Sequence, residues 1–423
     1  MPRFCYNQTM RVFFKKWRFQ TGAAALALVF LIVPAACSGT PADQSGVEDD
    51  QKDGEKDDPS IEDLAGESKA RQYWGTLVEN IPNNISNTFT DDPQTTRTIT
   101  WQSTLDTGEV IIGKKHYPSS SPKKEGGYFR HRIDISGLEP GKTYQYIAGS
   151  SGAYSPVYSF TTGSPGGFSV LHITDPQIGA VTIKGDAAIW KHAMESAVKK
   201  CPHAAFVVNT GDIVENAATD IIPFYFDYVQ EIIANYAFVY SMGNNDSTEW
   251  YNRYFYTPGS GSNGVLYSFD YGNAHFVNVD SNVNFSNKQL TWLENDLNST
   301  AKKWKVVLTH EANYGRDGKD TDLTKLFDRY NVNLVMAGHN HFYARSKPID
   351  TAGTEKSGGT VWSIPNTIGA KFNSIANQPF LAMDKQPNLQ MFSEFTFTET
   401  NMSLNAYTIN ALGNAVLFDS YTW

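Results

Sequence analysis

The sequence predicts a two-domain chain of the α/β class: a small β-sandwich, then a layered α/β domain with antiparallel strands added at its edges. Three observations carry that prediction. At 423 residues the chain exceeds one ordinary domain of about 150 residues. From Ala70 to Thr162 it reads as strands separated by turns. Beyond Gly163-Ser164-Pro165-Gly166-Gly167 the pattern changes to short apolar runs alternating with helical stretches.

The first residues read as an export segment. Arg11, Lys15, Lys16 and Arg18 form a basic region, and Gly22 to Val33 an apolar stretch shorter than the roughly 20 residues that span a bilayer. Pro34-Ala35-Ala36-Cys37 closes it and resembles the lipobox of bacterial lipoproteins, with Pro34 in the usual place of leucine. That resemblance implies acylation of Cys37 and a chain held at a membrane of the bacterial cell envelope, outside the cytoplasm. A conventional cleaved signal peptide and an uncleaved anchor remain open. Residues 38–67 are rich in Asp, Glu, Ser, Gly and Lys, and read as an acidic disordered linker with too few apolar residues to fold.

Composition sets further bounds. The 40% hydrophobic content suits a globular protein with a sizeable core. A net charge of −9, much of it in the linker, argues against a nucleic-acid scaffold as partner. With Cys5 in the export segment and Cys37 at its end, no disulfide framework is expected, and Cys201 reads as a free, partly buried thiol at a helix end.

In the β-domain (68–163), Thr95 to Ser103 places Ile99 and Trp101 on one face. Tyr128 to Ile135, Thr143 to Ala148 and Val157 to Thr161 continue the pattern. Leu138-Glu139-Pro140-Gly141-Lys142 is a turn leading to Tyr144, a tyrosine expected to hydrogen-bond back across a sandwich corner. Trp101 and Tyr144 read as core residues.

In the second domain (167–423), Phe168 to Thr174, Ala204 to Thr210, Ala237 to Met242, Trp304 to Thr309 and Asn333 to Ala337 are continuous apolar runs, suited to strands covered on both faces. Helices are expected over Asp186 to Lys200 and, capped by Ser286 with Gln289, over Asn287 to Leu297. Strands return at Val361 to Ile364, Phe392 to Phe397, Leu404 to Ile409 and Ala415 to Phe418.

Five polar clusters follow strands, where open α/β sheets place their ligands. They are Asp175-Pro176-Gln177, Gly211-Asp212, Gly243-Asn244-Asn245-Asp246, His310-Glu311 and Gly338-His339-Asn340-His341. Two neighbouring divalent cations require hard oxygen donors, several imidazoles and a carboxylate that can bridge. The series supplies that chemistry. His203 and His275, outside it, read as surface or packing residues.

The order D-x-Q, G-D, G-N-N-D, H, G-H-x-H resembles the calcineurin-like metallophosphoesterases from about Phe168 onward. The preceding domain, with Asp92-Pro93-Gln94 and Trp101, is similar to the fibronectin-like N-terminal domain of purple acid phosphatases. The resemblance implies a fibronectin III-like sandwich followed by an α/β/β/α metallophosphoesterase domain. It implies two divalent metal ions, for which iron, zinc and manganese all fit, and hydrolysis of a phosphate ester by metal-activated hydroxide. Position by position, it assigns one metal to Asp175, Gln177, Asp212 and His341. Asp212 bridges to a second, completed by Asn244, His310 and His339. Asn245 and Asp246 join Asp212 as candidate catalytic residues.

Three departures qualify these roles. Gln177 replaces the family's usual histidine by a neutral amide, which softens the first site. Asn245 replaces a histidine that stabilises the transition state or protonates the leaving group, so good leaving groups are favoured unless Glu311 or another histidine supplies the acid. Glu215 stands three residues after the bridging aspartate, where purple acid phosphatases carry an iron-binding tyrosine, so no tyrosinate colour is expected. Tyr251, Tyr254, Tyr256 and Arg316 are candidates for shaping specificity, with packing against the domain or solvation as the alternative. A surface lipoprotein that binds metal and phosphate ligand with little turnover, and an adhesive β-domain protein on an α/β scaffold, remain as other readings.

Overall fold

The computed structural model describes residues 59–66, 80–89, 91–150, 152–249, 254–257, 265–282, 286–312 and 321–423. The export segment, Cys37, Tyr251 and Arg316 lie outside the described residues. Among those described, no helix is long and apolar enough to cross a membrane.

The acidic stretch expected to be unstructured through residue 67 needs correction at its end, because residues 61–66 form a helix. Ser60 caps it reciprocally: Asp63 N donates to Ser60 Oγ at 3.2 Å, and Ser60 N to Asp63 Oδ2 at 3.3 Å. Ile61 and Ala65, one turn apart, are buried against Ile111, Ile147 and Tyr154. Two apolar residues at helical spacing suffice once a neighbouring sheet offers them a surface.

The β-domain is a sandwich. One sheet runs in the order Asn83–Thr88, Arg97–Ser103, Tyr128–Ile135, Lys123–Glu125. The other runs Lys115–Pro118, Glu109–Ile112, Thr143–Ser150, Ala153–Tyr154, with Tyr158–Thr161 also pairing Thr143–Ser150. Ile99, Trp101, Val110, Ile133, Tyr146 and Phe160 fill the space between them. Tyr144 makes the expected corner, its hydroxyl accepting the Glu139 N–H at 2.8 Å. Asn83–Thr88 had no apolar signature. It is nevertheless buried, because Asn87 Nδ2 donates to Ala234 O at 3.2 Å and Thr88 Oγ1 to Phe238 O at 2.9 Å, tying it to the second domain. Arg97, only 2% exposed, lies 5.8 Å and 5.0 Å from the ring centroids of Phe89 and Phe160 at the same junction.

The second domain stacks two sheets between two helical layers. The six-stranded sheet has the order Ala237–Tyr240, Phe206–Asn209, Phe168–Ile173, Met391–Phe397, Met402–Ile409, Ala415–Thr422, the first three strands parallel. The seven-stranded sheet has the order Tyr267–Tyr271, Ala274–Asn278, Trp304–Leu308, Leu334–Met336, Val361–Pro365, Tyr343–Ser346, Leu381–Lys385. Side-chain alternation explains the layering. Val170, Phe206, Val208, Val239, Val306, Leu308 and Met336 share the core between the sheets. Leu171, Val207 and Phe238 face the other way, onto Trp190 and Met194 of the Ile183–Lys200 helix. Val307 and Val335 face Leu293 and Leu297 of the Asn287–Ser299 helix, and Leu323 and Phe327 of Thr321–Tyr330. Ser286 caps the former as expected, accepting Gln289 N at 3.3 Å. Both faces of the parallel strands are therefore covered, which is why they read as unbroken apolar runs.

Candidate metal centre

The five clusters leave the carboxyl ends of five strands that neighbour one another within their sheets. Asp175, Asp212 and Asn244 follow Phe168–Ile173, Phe206–Asn209 and Ala237–Tyr240. His310 and His339 follow Trp304–Leu308 and Leu334–Met336. Five of the seven expected ligands hold left-handed backbone: Asp175 (φ 53°), Gln177 (38°), Asp212 (52°), His339 (68°) and His341 (49°). Each such residue costs about 1 kcal/mol or more, so that density of strain marks a site that the surrounding turns force into place. Those turns are pressed together. A Cβ at Gly211 (φ 102°) would lie 2.9 Å from His310 Nδ1, and one at Gly338 would collide with Thr174 Oγ1.

Two ligand triads result. Asp212, His310 and His339 present one donor atom each within 4.8 Å of one another, and so do Asp175, Asp212 and His341. Asp212 belongs to both, as a bridging carboxylate must. Asn244 Oδ1 joins the first triad, 2.8 Å from His339 Nδ1 and 3.1 Å from His310 Nε2. The histidines are oriented by backbone carbonyls. His310 Nδ1 donates to Thr210 O at 2.6 Å and His341 Nδ1 to Lys371 O at 2.8 Å, which leaves each Nε2 facing an aspartate at 3.3 Å. Burial alone would lower the proton affinity of His310, but the charge of Asp212 raises its pKa to about 10, while the same pairing holds Asp212 below the usual carboxylate range.

The donor set fits divalent metal. Gln177, 1% exposed, has both amide atoms buried without a hydrogen-bond partner, and Asp175 Oδ1 likewise lacks one. Buried polar atoms left unpaired cost about 1–3 kcal/mol each, and oxygen donors facing a cation are the natural resolution. Glu215, also with a buried, unpartnered carboxylate oxygen, follows Asp212 by three residues and is anchored by its own N–H to Ile178 O at 3.0 Å.

The remaining candidates take positioning roles. Asp246 accepts N–H bonds from Gly243 (2.7 Å), Asp212 (3.0 Å) and Ile213 (3.0 Å), so its carboxylate, expected to be catalytic, instead braces the Asp212 turn. Burial and the nearby Asp212 charge push it up to about 7. Asn245 Nδ2 donates to Asp212 Oδ2 at 2.7 Å. Glu311 is half-buried, its N–H held by Ser281 Oγ at 2.9 Å. Tyr256 lies under the Arg132 guanidinium, 3.5 Å from ring centroid, and Tyr254 packs on the domain core, so both follow the packing alternative. His275 is bound between Asp270 and Asp296, a packing role. Cys201 is free and buried at a helix end, and burial raises its thiol to about 12.

Sequence reasoning missed the supports. Asp186 Oδ2 accepts the N–H groups of Gly179 (3.0 Å), Val181 (2.9 Å) and Thr182 (3.1 Å), closing the loop after Gln177. Thr367 Oγ1 donates to Asp175 O at 2.7 Å. Gln386 Nε2 reaches His341 O at 2.5 Å and Asn373 O at 2.8 Å. Asp186 carried a signal, an acid in a first helical turn. The other two carried none.

Comparison with known proteins agrees with this geometry. Residues 168–343 match the calcineurin-like phosphoesterase family, and residues 82–162 the N-terminal domain of purple acid phosphatases. The chain is 25% identical over 320 residues to mouse acid phosphatase type 7, covering 63% of this chain and 71% of that one. It is 33% identical over 115 residues to purple acid phosphatase 23 of Arabidopsis thaliana, covering 23% and 25% of the two chains. The solved structure of purple acid phosphatase PPD1 from yellow lupin seeds shares the fold at a TM-score of 0.69 and 17% identity, over 81% of this chain and 74% of that one.

Proposed function

We propose, for a chain that belongs to the calcineurin-like phosphoesterase family and carries the N-terminal domain of purple acid phosphatases, a specific division of labour within its dimetal site. The enzyme is a metal-dependent phosphoric ester hydrolase. The observation that carries the reading is the pair of ligand triads sharing Asp212. Asp175, Gln177, Asp212 and His341 would hold one ion, and Asp212, Asn244, His310 and His339 the other. Divalent ions there supply Lewis acidity, neutralise charge on phosphoryl oxygens and lower the pKa of water towards about 7. The chain's own part is to hold the ligands rigid, through Asp246, Asp186 and Thr210, so that an ester can be aligned for attack by water. Asn245, an amide committed to Asp212, brings no proton to a leaving group, which favours esters of acidic alcohols.

The test is the metal content of the full chain, then release from 4-nitrophenyl phosphate and its bis-ester with manganese, zinc, iron and magnesium. Two ions per chain, with turnover abolished in Asp212→Asn, support the reading. Two ions without turnover would leave a ligand-binding protein, and no metal would sink the assignment of the five clusters.

The export signal and lipobox-like Pro34-Ala35-Ala36-Cys37 further support a chain exported and lipid-anchored at the bacterial cell envelope. Labelled palmitate should enter the wild-type chain and not Cys37→Ala. Equal labelling, or none in either, would overturn it.

A further inference from the structure

We propose that the cleft where the two domains meet, floored by Arg97, binds a small organic carboxylate at a site separate from the metal centre.

Arg97 opens the strand Arg97–Ser103 and is buried with most of its donors unspent. Its Nη2 donates to Thr161 O at 2.5 Å, while Nε and Nη1 are buried and have no partner. Among the described residues no carboxylate pairs with it, whereas Arg132, Arg329 and Arg345 each have one. The rings of Phe89 and Phe160 attract the charge but accept none of its N–H groups in line. Burial lowers the guanidinium to about 10, opposed only by Tyr271 and Tyr146. A buried cation with free donors is costly, and an anion is what resolves it.

Arg97 lines a cleft of about 390 Å³, within the range of about 300–1,000 Å³ usual for small-molecule sites. Phe160 and Thr161 of the sandwich form one wall, and Phe168, His203, Tyr236 and Tyr271 of the second domain the other; no Asp or Glu lines it. The walls are fixed across the junction, because Ser159 N donates to Asn235 Oδ1 at 2.6 Å and the Tyr146 hydroxyl to Ala234 O at 2.8 Å. The Tyr271 hydroxyl has no hydrogen-bond partner among the described residues, and so adds a second free donor to the cleft. Phe168, Ala205 and Ala237 stand at the amino ends of the parallel strands whose carboxyl ends carry Asp175, Asp212 and Asn244. Cleft and metal centre are therefore a strand's length apart, about 13–20 Å.

The lining sets the class of occupant. Arg97 is the single permanently charged side chain in it, so one negative charge balances the site. A carboxylate offers two oxygens to the planar donors of a guanidinium. The rings of Phe160, Phe168 and Tyr271 then cover an apolar body behind that head. A bare inorganic dianion would overfill the charge and leave those rings uncovered.

The experiment titrates sodium benzoate calorimetrically into the full, metal-loaded chain, with acetate and sulfate for comparison, and repeats the benzoate titration after chelation. Wild type should bind one benzoate per chain, more tightly than acetate or sulfate, and chelation should leave that affinity unchanged. Arg97→Met, which keeps the side chain's bulk and removes its charge, should weaken benzoate by at least about 10-fold. Tyr271→Phe should weaken it by about 3- to 10-fold. Benzoate should also raise the denaturant midpoint of wild type and not that of Arg97→Met. No benzoate binding by wild type, equal binding by Arg97→Met, tighter binding of sulfate, or loss of binding on chelation would each overturn the proposal. If Arg97→Met does not fold, Tyr271→Phe decides, and an unchanged affinity there would overturn it equally.

Discussion

Asn245 grips Asp212 at both carboxylate oxygens, through its backbone N–H to Oδ1 at 2.8 Å and its side-chain amide to Oδ2 at 2.7 Å. The amide's donor is directed at a ligand, so its work is to hold the bridging carboxylate in its strained turn. Asn245→Ala keeps the backbone bond and loses the other. Metal affinity should fall about 10- to 100-fold, the usual cost of removing an outer-sphere partner. Once saturated with metal, the variant should show the wild-type dependence of rate on leaving-group pKa. A steeper dependence in the variant would assign Asn245 to the leaving group instead.

Gln177 is buried with both amide atoms unpartnered, and leucine has nearly its shape. Gln177→Leu should therefore make the metal-free chain more stable, by about 1–3 kcal/mol, because two costly orphans disappear. The same change should reduce bound metal from two ions per chain to one. Denaturant midpoints on chelator-treated protein, with metal analysis beside them, check both halves. A less stable apo-protein would mean that Gln177 has a structural partner of its own.

Asp186 closes the Gln177 loop by accepting three N–H groups on one oxygen. Asp186→Ala leaves those donors without an acceptor in a site where the carboxylate is 1% exposed, and should destabilise the chain by about 2–3 kcal/mol. Affinity at the first metal position should weaken while the second, built from Asn244, His310 and His339, keeps its ion. Loss of both ions together would show that the two turns fold as one unit.

What was legible in the sequence follows a physical divide. The parallel strands could be read because burial on both faces demands apolar residues at every position, as in Val170-Leu171 and Val306-Val307-Leu308. Metal ligands could be read because each had to stand just past such a strand. Asn83–Thr88 could not, since its burial rests on hydrogen bonds to Ala234 and Phe238, about 150 residues away in the chain. Thr367 and Gln386 were invisible for the same reason. Gly211 and Gly338 make room for Gly243 and Thr174 of adjoining turns, partners that lie far from them in the chain. Local pattern reports burial and turn chemistry, and it is silent on which distant turn fills the space.

His275, outside the metal centre, gives the chain a pH dependence of its own. Its ring lies between Asp270 and Asp296, 2.8 Å from each, with Lys302 3.6 Å from Asp270 and Lys305 in register on the adjoining strand. Burial alone would lower the pKa of His275, but the two carboxylates win and raise it from 6.5 to about 9. A group whose folded pKa is raised adds stability that is complete below the unfolded value and is lost as pH rises through the folded one. The contribution should therefore be full below about pH 6.5 and gone above about pH 9. Its ceiling is about 3 kcal/mol from the size of the shift, and nearer 1–2 kcal/mol because the Asp270 side chain is 50% exposed and screened by solvent. Chelator-treated wild type should lose denaturant stability between pH 6.5 and 9.5, and His275→Gln should lose much less over the same range. Parallel pH profiles for the two chains would show that the imidazolium adds nothing.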